Sequence, residues 1–151
     1  QSLLSEIEKK ETVGFVQGVK RELDPFRKYT NDINCLNGEK LLSERIRIYF
    51  GDAAFLLMRT EALKSIKWDI ITKYQVDGLG GEDVAMSLMV SQNWEGWGIP
   101  NARGWHVSPS VERWGWESHS DILQIELLRG QVDPGILRKA LPHLSEFIPD
   151  N

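Results

Sequence analysis

Four consecutive residues, Gly80-Gly81-Glu82-Asp83, join backbone freedom to paired carboxylates, and chemistry is most readily written there. Glycine reaches conformations closed to other residues, so a loop holding Gly78, Gly80 and Gly81 can approach a ligand closely. Glu82 and Asp83 then open a run with helical spacing, and the partial positive charge of a helix start favours both side chains as anions. An ionised carboxylate beside such a loop can serve as a general base, taking a proton from a hydroxyl as its oxygen attacks. Acidic residues at helix starts are also ordinary caps, and spacing alone favours that plainer role.

Other reactive residue types are scattered more thinly. Five of the six tryptophans fall between Trp94 and Trp116. Large aromatics usually fill cores, but Trp114 and Trp116, separated by Gly115 on a polar stretch, suit a platform for ring stacking. Arg113 and His119 lie beside them; an arginine there is either solvated surface or a bidentate phosphate contact. His106 is either a satisfied histidine on a strand or a ligand. Asp52 interrupts an apolar stretch, where a carboxylate must be paired or face a cleft. Cys35, the single cysteine, excludes an internal disulfide and a multi-cysteine zinc site and fits a reducing, cytoplasmic setting. No nucleophile elbow, dinucleotide fingerprint or zinc spacing occurs.

The elements that must position these residues follow from periodicity. Helical spacing is predicted over Leu3–Lys10, then a short buried strand over Thr12–Gly18. Asp24–Lys40 reads as a long polar loop and Glu39–Arg47 as helical. Ile48–Arg59 reads as the strongest strand, followed by a Thr60-capped helix over Glu61–Ile66 and an irregular Trp68–Gly81. A helix is predicted over Glu82–Gln92, with Val84, Leu88 and Ser91 on one face and Ala85 and Met89 on the next. Gly96–Pro100 reads as strand then turn, and Trp105-His106-Val107 as another short strand. A helix over Ser120–Arg129 stops at Gly130, and a last one starts near Pro134 and ends at Pro142. Helices alternate with only two or three credible strands, fewer than a complete doubly wound sheet needs.

Composition narrows the functional classes. At 151 residues, 41% hydrophobic and 26% charged, the chain is expected to fold around one core. A net charge of −4 argues against broad nucleic-acid binding. No run of about 18 apolar residues is present to span a membrane, and no signal peptide is recognisable.

Taken in order, Tyr49-Phe50-Gly51, Met58–Leu63, Gly80–Val84, Pro100-Asn101-Ala102 and His106 resemble the second half of GT-A glycosyltransferases. Family 2 members show a V-x-Q-G strand, a strand–helix ending in Arg-x-x-Ala-Leu, a G-E-D-V-x-L-S helix and a downstream histidine. Val13–Gly18 matches the first loosely, Gly51–Leu63 the second, Gly81–Leu88 the third and His106 the last. The Gly-Gly-Glu-Asp form is also similar to β-1,4-galactosyltransferases and to the Gly-Gly-Glu-Asn of polypeptide N-acetylgalactosaminyltransferases. The resemblance covers residues 12–107.

It implies an α/β fold with a GT-A-like, Rossmann-like mixed sheet, present as a partial or C-terminal half, with terminal helices. Residues 1–117 would form the acceptor-side, catalytic-base part and residues 118–151 a helical extension. The implied activity is transfer of a sugar from a nucleotide-sugar to an acceptor hydroxyl, with inversion. Asp83 would be the catalytic base. Glu82, with Gly80, Gly81, Trp114 and Trp116, would bind the acceptor, and Arg113 and His119 the donor diphosphate. His106 would contribute to a divalent metal site for Mn²⁺ or Mg²⁺. The implied partners are the donor and a glycan, lipid or protein acceptor. The family's Asp-x-Asp motif does not occur, nor does a Gly-rich phosphate loop, so the donor-binding half is expected upstream or on a partner chain. The alternative is a non-catalytic carbohydrate-binding or interaction module descended from such an enzyme.

Overall fold

The computed structural model of the chain describes residues 2–23, 45–51, 55–76, 82–107, 125–126 and 128–149. Its axis is strand β1 (Val13–Leu23). Val13, Phe15 and Val16 are all fully buried, yet they serve two different cores. A regular strand would send residues 13 and 15 to one side together. Here Val13 pairs with Glu95 and Phe15 with Gly96, which leaves Gly14 as the extra residue of a bulge. The bulge resets the alternation, so Phe15 enters one core while Val13 and Val16 enter the other. An ideal Cβ on Gly14 would lie 2.8 Å from Trp94 Cγ, so no larger residue fits that bulge.

Four strands form one mixed sheet in the order β2 (Ile46–Ile48), β4 (Glu95–Val107), β1, β3 (Leu56–Met58). The central pair β1–β4 is parallel, and each edge strand is antiparallel to its neighbour. A parallel central pair is expected to be covered on both faces. Helix α2 (Trp68–Val76), helix α3 (Glu82–Ser91) and the C-terminal helix α4 (Pro134–Ala140) cover the Phe15 face. Helix α1 (Leu3–Ile7) covers the other, where Ile7 meets Val13, Val16, Ile99 and Ala102. Ile125, Leu128, Val132, Leu137 and Ile148 join the same core as Phe15. Gln92 ties this C-terminal part to the end of α3: its amide donates to the Gln131 carbonyl at 2.9 Å and accepts from the Asp133 N–H at 3.2 Å. Asp133 caps α4 through Gly135 and Ile136, and Pro134 fills the first turn.

Several sequence expectations need correction. Trp68–Val76 is helical, because burial of Ile70 and Ile71 against α3 overrides the weak helix preference of its β-branched residues. Residues 46 and 47, expected in a helix, belong to strand β2. Ile48–Arg59 is not one strand: β2 and β3 lie on opposite edges of the sheet, so the chain between them crosses both central strands. Pro100 does not end its strand. Pairing jumps from Gly18–Ile99 to Val19–Arg103, so Pro100, Asn101 and Ala102 form an irregularity inside one long β4. Proline has no N–H to give a ladder and is tolerated at such a break. The helix after Thr60 is a short 3-10 segment (Ala62–Ser65) led by Glu61 without a side-chain cap. As expected, Gly130 follows helical residues, with a φ of 71° that favours glycine.

Candidate functional site

Helix α3 carries the acidic pair, and its burial pattern fixes how that pair is presented. Ala85, Leu88, Met89 and Val90 are buried in the main core. At the helix's C-terminal end, Val90 and Trp94 pack on Gly14 near the start of β1. Nearer its N-terminus, Ser87 reaches Gly51, which in turn packs on Gln17 further along β1. The helix therefore runs opposite to β1 and β4, and its first turn stands toward the C-terminal ends of the parallel pair. Open α/β sheets bind ligands at that end.

Glu82 and Asp83 occupy the first turn of α3, and both are half-buried. The Val84 N–H donates to Asp83 Oδ1 at 2.8 Å, so the carboxylate satisfies one of the amides a helix start leaves without an intrahelical acceptor. The Ser87 hydroxyl, on a residue with no exposed surface, donates to the Asp83 carbonyl at 2.6 Å and accepts from the Gly51 N–H at 3.2 Å. One turn further on, Ser91 donates to the Tyr49 carbonyl at 2.7 Å. Two serines thus grip the crossing segment 49–51 from one face of α3. An ideal Cβ on Gly51 would lie 2.7 Å from both Gln17 Oε1 and Leu56 Cδ1, so a larger residue there would require the ends of both side chains to shift.

Sequence reasoning placed Glu82 and Asp83 at a helix start, where they lie, but overlooked Ser87, Gly51 and Gln17 behind that turn. The available signal was the four-residue spacing of Asp83, Ser87 and Ser91, which places all three on one helix face. His106 lies on β4 opposite Glu22, five pairs beyond the Gln17–Gly98 level. That is roughly 16 Å further along the strands, at the same end of the sheet as the start of α3. Gly80, Gly81, Arg113, Trp114, Trp116 and His119 lie outside the described residues, as do Asp52 and Cys35. Of the other tryptophans, Trp94 is partly buried against the main core and Trp97 against the second. Among the described residues no three His, Cys, Asp or Glu side chains converge as a metal site, so the divalent ion implied by the resemblance has no complete ligand set there.

A second charged cluster lies on the α1 face. Glu6, 2% exposed, is bonded by Lys9 and approached by Arg45 at 3.6 Å. The Arg45 guanidinium sits 3.9 Å above the centre of the Trp97 ring, a cation–π contact. The Trp97 indole N–H donates to Glu95 at 2.8 Å, and the Thr12 hydroxyl donates to its other oxygen at 3.1 Å. The Trp97 bond, more than Thr12 and the charges of Lys10 and Arg47, holds the Glu95 carboxyl below its ordinary value, against the opposing effect of burial. Arg59 closes the same face: Nε donates to the Val13 carbonyl at 2.9 Å, and Nη2 to those of Ile7 and Lys10 at 2.6 and 3.2 Å. Through Glu6 and Arg59 these groups tie α1 to the sheet.

The chain matches no family model, no curated protein and no solved structure. The fold stands as a mixed α/β unit with a four-stranded mixed sheet.

Proposed function

We propose that the chain is the acceptor-side, catalytic-base part of a GT-A-type glycosyltransferase. One observation carries the reading: Asp83 sits in a first helical turn that is tied from inside, through Ser87 and Gly51, at the C-terminal end of a parallel strand pair. The sequence resemblance supplies the rest. In the proposed reaction Asp83 takes the proton of an acceptor hydroxyl while that oxygen bonds to the anomeric carbon of a nucleotide-sugar. The bond from that carbon to the diphosphate breaks, the nucleoside diphosphate leaves, and the anomeric configuration inverts. A positioned base of this kind contributes on the order of 10²–10⁴ in rate. Glu82, one residue before Asp83 on the same turn, orients acceptor hydroxyls together with Gly80, Gly81, Trp114 and Trp116. Arg113 and His119 would bind the donor diphosphate. A divalent ion, Mn²⁺ or Mg²⁺, would neutralise diphosphate charge, with His106 as this chain's contribution and the remaining ligands from the donor-binding half.

The bond from Val84 N–H to Asp83 also suits a second reading, a carbohydrate-binding module in which the carboxylate serves only as a cap. Turnover separates the two. The full-length protein is incubated with a panel of nucleotide-sugars and simple glycosides, and nucleoside diphosphate release is followed. Under the transferase reading Asp83→Asn lowers release at least about 100-fold while nucleotide binding is retained. Equal release by the variant, or none by the unsubstituted protein with any donor, refutes it.

A further inference from the structure

Ser87 is buried completely, and its hydroxyl takes no direct part in the proposed proton transfer. A buried serine in mid-helix usually returns its proton to a carbonyl one turn back, and Ser87 does so with Asp83 at 2.6 Å. What is unusual is the second bond, accepted from the Gly51 N–H at 3.2 Å across 36 residues of sequence. Gly51 is in turn confined between Gln17 of the central strand and Leu56 of β3. A single hydroxyl therefore links the backbone of the catalytic-base residue to the backbone of the crossing segment, and through it to the sheet. First turns of helices are prone to fray. Here the fourth residue after Asp83 anchors that turn from its buried side.

We infer that Ser87 is a positioning residue, fixing the Asp83 turn against the Gly51 crossing so that the carboxylate is held in place for proton transfer. The inference rests on the transferase reading for its catalytic consequence, though not for the anchoring itself. Ser87 never meets the substrate; it acts through the Asp83 backbone. Misplacing a reacting group by about 1 Å can cost on the order of 100-fold in rate, so loosening this turn acts on kcat and leaves acceptor KM nearly unchanged.

The test uses the full-length protein with Ser87→Ala and Ser87→Cys. Cysteine keeps nearly the serine volume but is a weak donor and acceptor, so it separates hydrogen bonding from packing. In both variants amide exchange at Gly51 and at Val84 is expected to rise about tenfold or more, since each amide reports one end of the link. kcat for nucleoside diphosphate release is expected to fall about tenfold or more at constant acceptor KM. Cys behaving like Ser in exchange and turnover overturns the inference, as does faster Gly51 exchange with Val84 exchange and kcat unchanged. If the unsubstituted protein turns over no donor, the transferase reading falls, and Val84 exchange alone still decides whether Ser87 anchors the turn.

Discussion

Substituting alanine for Gly96 drives a methyl group into the ring of Phe15, its partner across the central strand pair. An ideal Cβ at residue 96 lies 2.5 and 2.6 Å from Phe15 Cε2 and Cε1, with Cζ nearer still. Carbon atoms pack best at about 3.5–4.0 Å, so the ring must retreat by about 1 Å or more. It has nowhere to go: Phe15 has no exposed surface and shares its core with Leu88, Met89 and Val90. Overpacking of this kind costs about 1–3 kcal/mol. The smaller unfolded-state entropy of alanine offsets about 0.4–1 kcal/mol of that. The expected net loss is about 1 kcal/mol, which lowers the melting temperature by about 2–4 °C for a chain of this size. Urea unfolding of Gly96→Ala, Phe15→Leu and the double variant forms the assay. Leucine vacates the space the methyl needs, so the double variant should be more stable than the sum of the single losses by about 1 kcal/mol. Neutral behaviour of Gly96→Ala, or strict additivity in the cycle, would show that the ring does not lie over residue 96.

The α1 face yields two further expectations. Glu95 has a depressed folded pKa, so its stabilisation is fully present above the ordinary value of 4.5 and is lost as pH falls through the lower folded value. Trp97→Phe removes the largest cause of that depression, so the loss of stability between about pH 6 and pH 3 should be smaller in the variant; identical urea midpoints for both proteins across that range would contradict the assignment. The effect is modest because Glu95 is only half-buried and water screens it. Arg59→Lys keeps the charge but not the planar fork that reaches the carbonyls of Ile7, Lys10 and Val13. It should cost about 2 kcal/mol and speed amide exchange in α1 ahead of the rest of the molecule; uniform exchange would mean that Arg59 does not dock that helix.

What could be read in advance depended on whether local or distant partners decide a segment. Helix α3 was legible because Gly81, two acids and an apolar stripe all point the same way. The start of β1 was legible from its β-branched and aromatic run, but its continuation to Leu23 was not. Residues 19–23 are too polar to read as a strand, and their pairing with residues 103–107 of β4 extends β1 through them. Helix α2 was missed because Trp68–Gly81 reads as irregular: Ile70, Ile71 and Thr72 are weak helix formers until a core exists to bury the isoleucines. The break inside Ile48–Arg59 was written as Gly51, but a lone glycine in an apolar run does not say that the chain crosses from one sheet edge to the other. Asp83 was singled out by its own chemistry, whereas Ser87 and Gln17 acquire meaning only from Gly51, which lies more than 30 residues from each.

The cap and base roles of Asp83 make different demands on its surroundings. A cap needs an acceptor atom near an orphan N–H, and asparagine meets that need about as well as aspartate. The bond to Val84 would survive Asp83→Asn, so a protein that uses the residue only as a cap should lose little stability and no function. Nothing in capping calls for a buried hydroxyl behind the turn, nor for a glycine pressed against Gln17 to meet it. A base has to be both anionic and immobile, since the rate of proton transfer depends on distance as well as on charge. The Ser87 link supplies the second property at the cost of burying a polar group, a cost offset by its two bonds. Asparagine at 83 keeps the anchored turn and removes only the charge. Unchanged stability with lost turnover is therefore the signature of a base, and unchanged stability with unchanged turnover that of a cap.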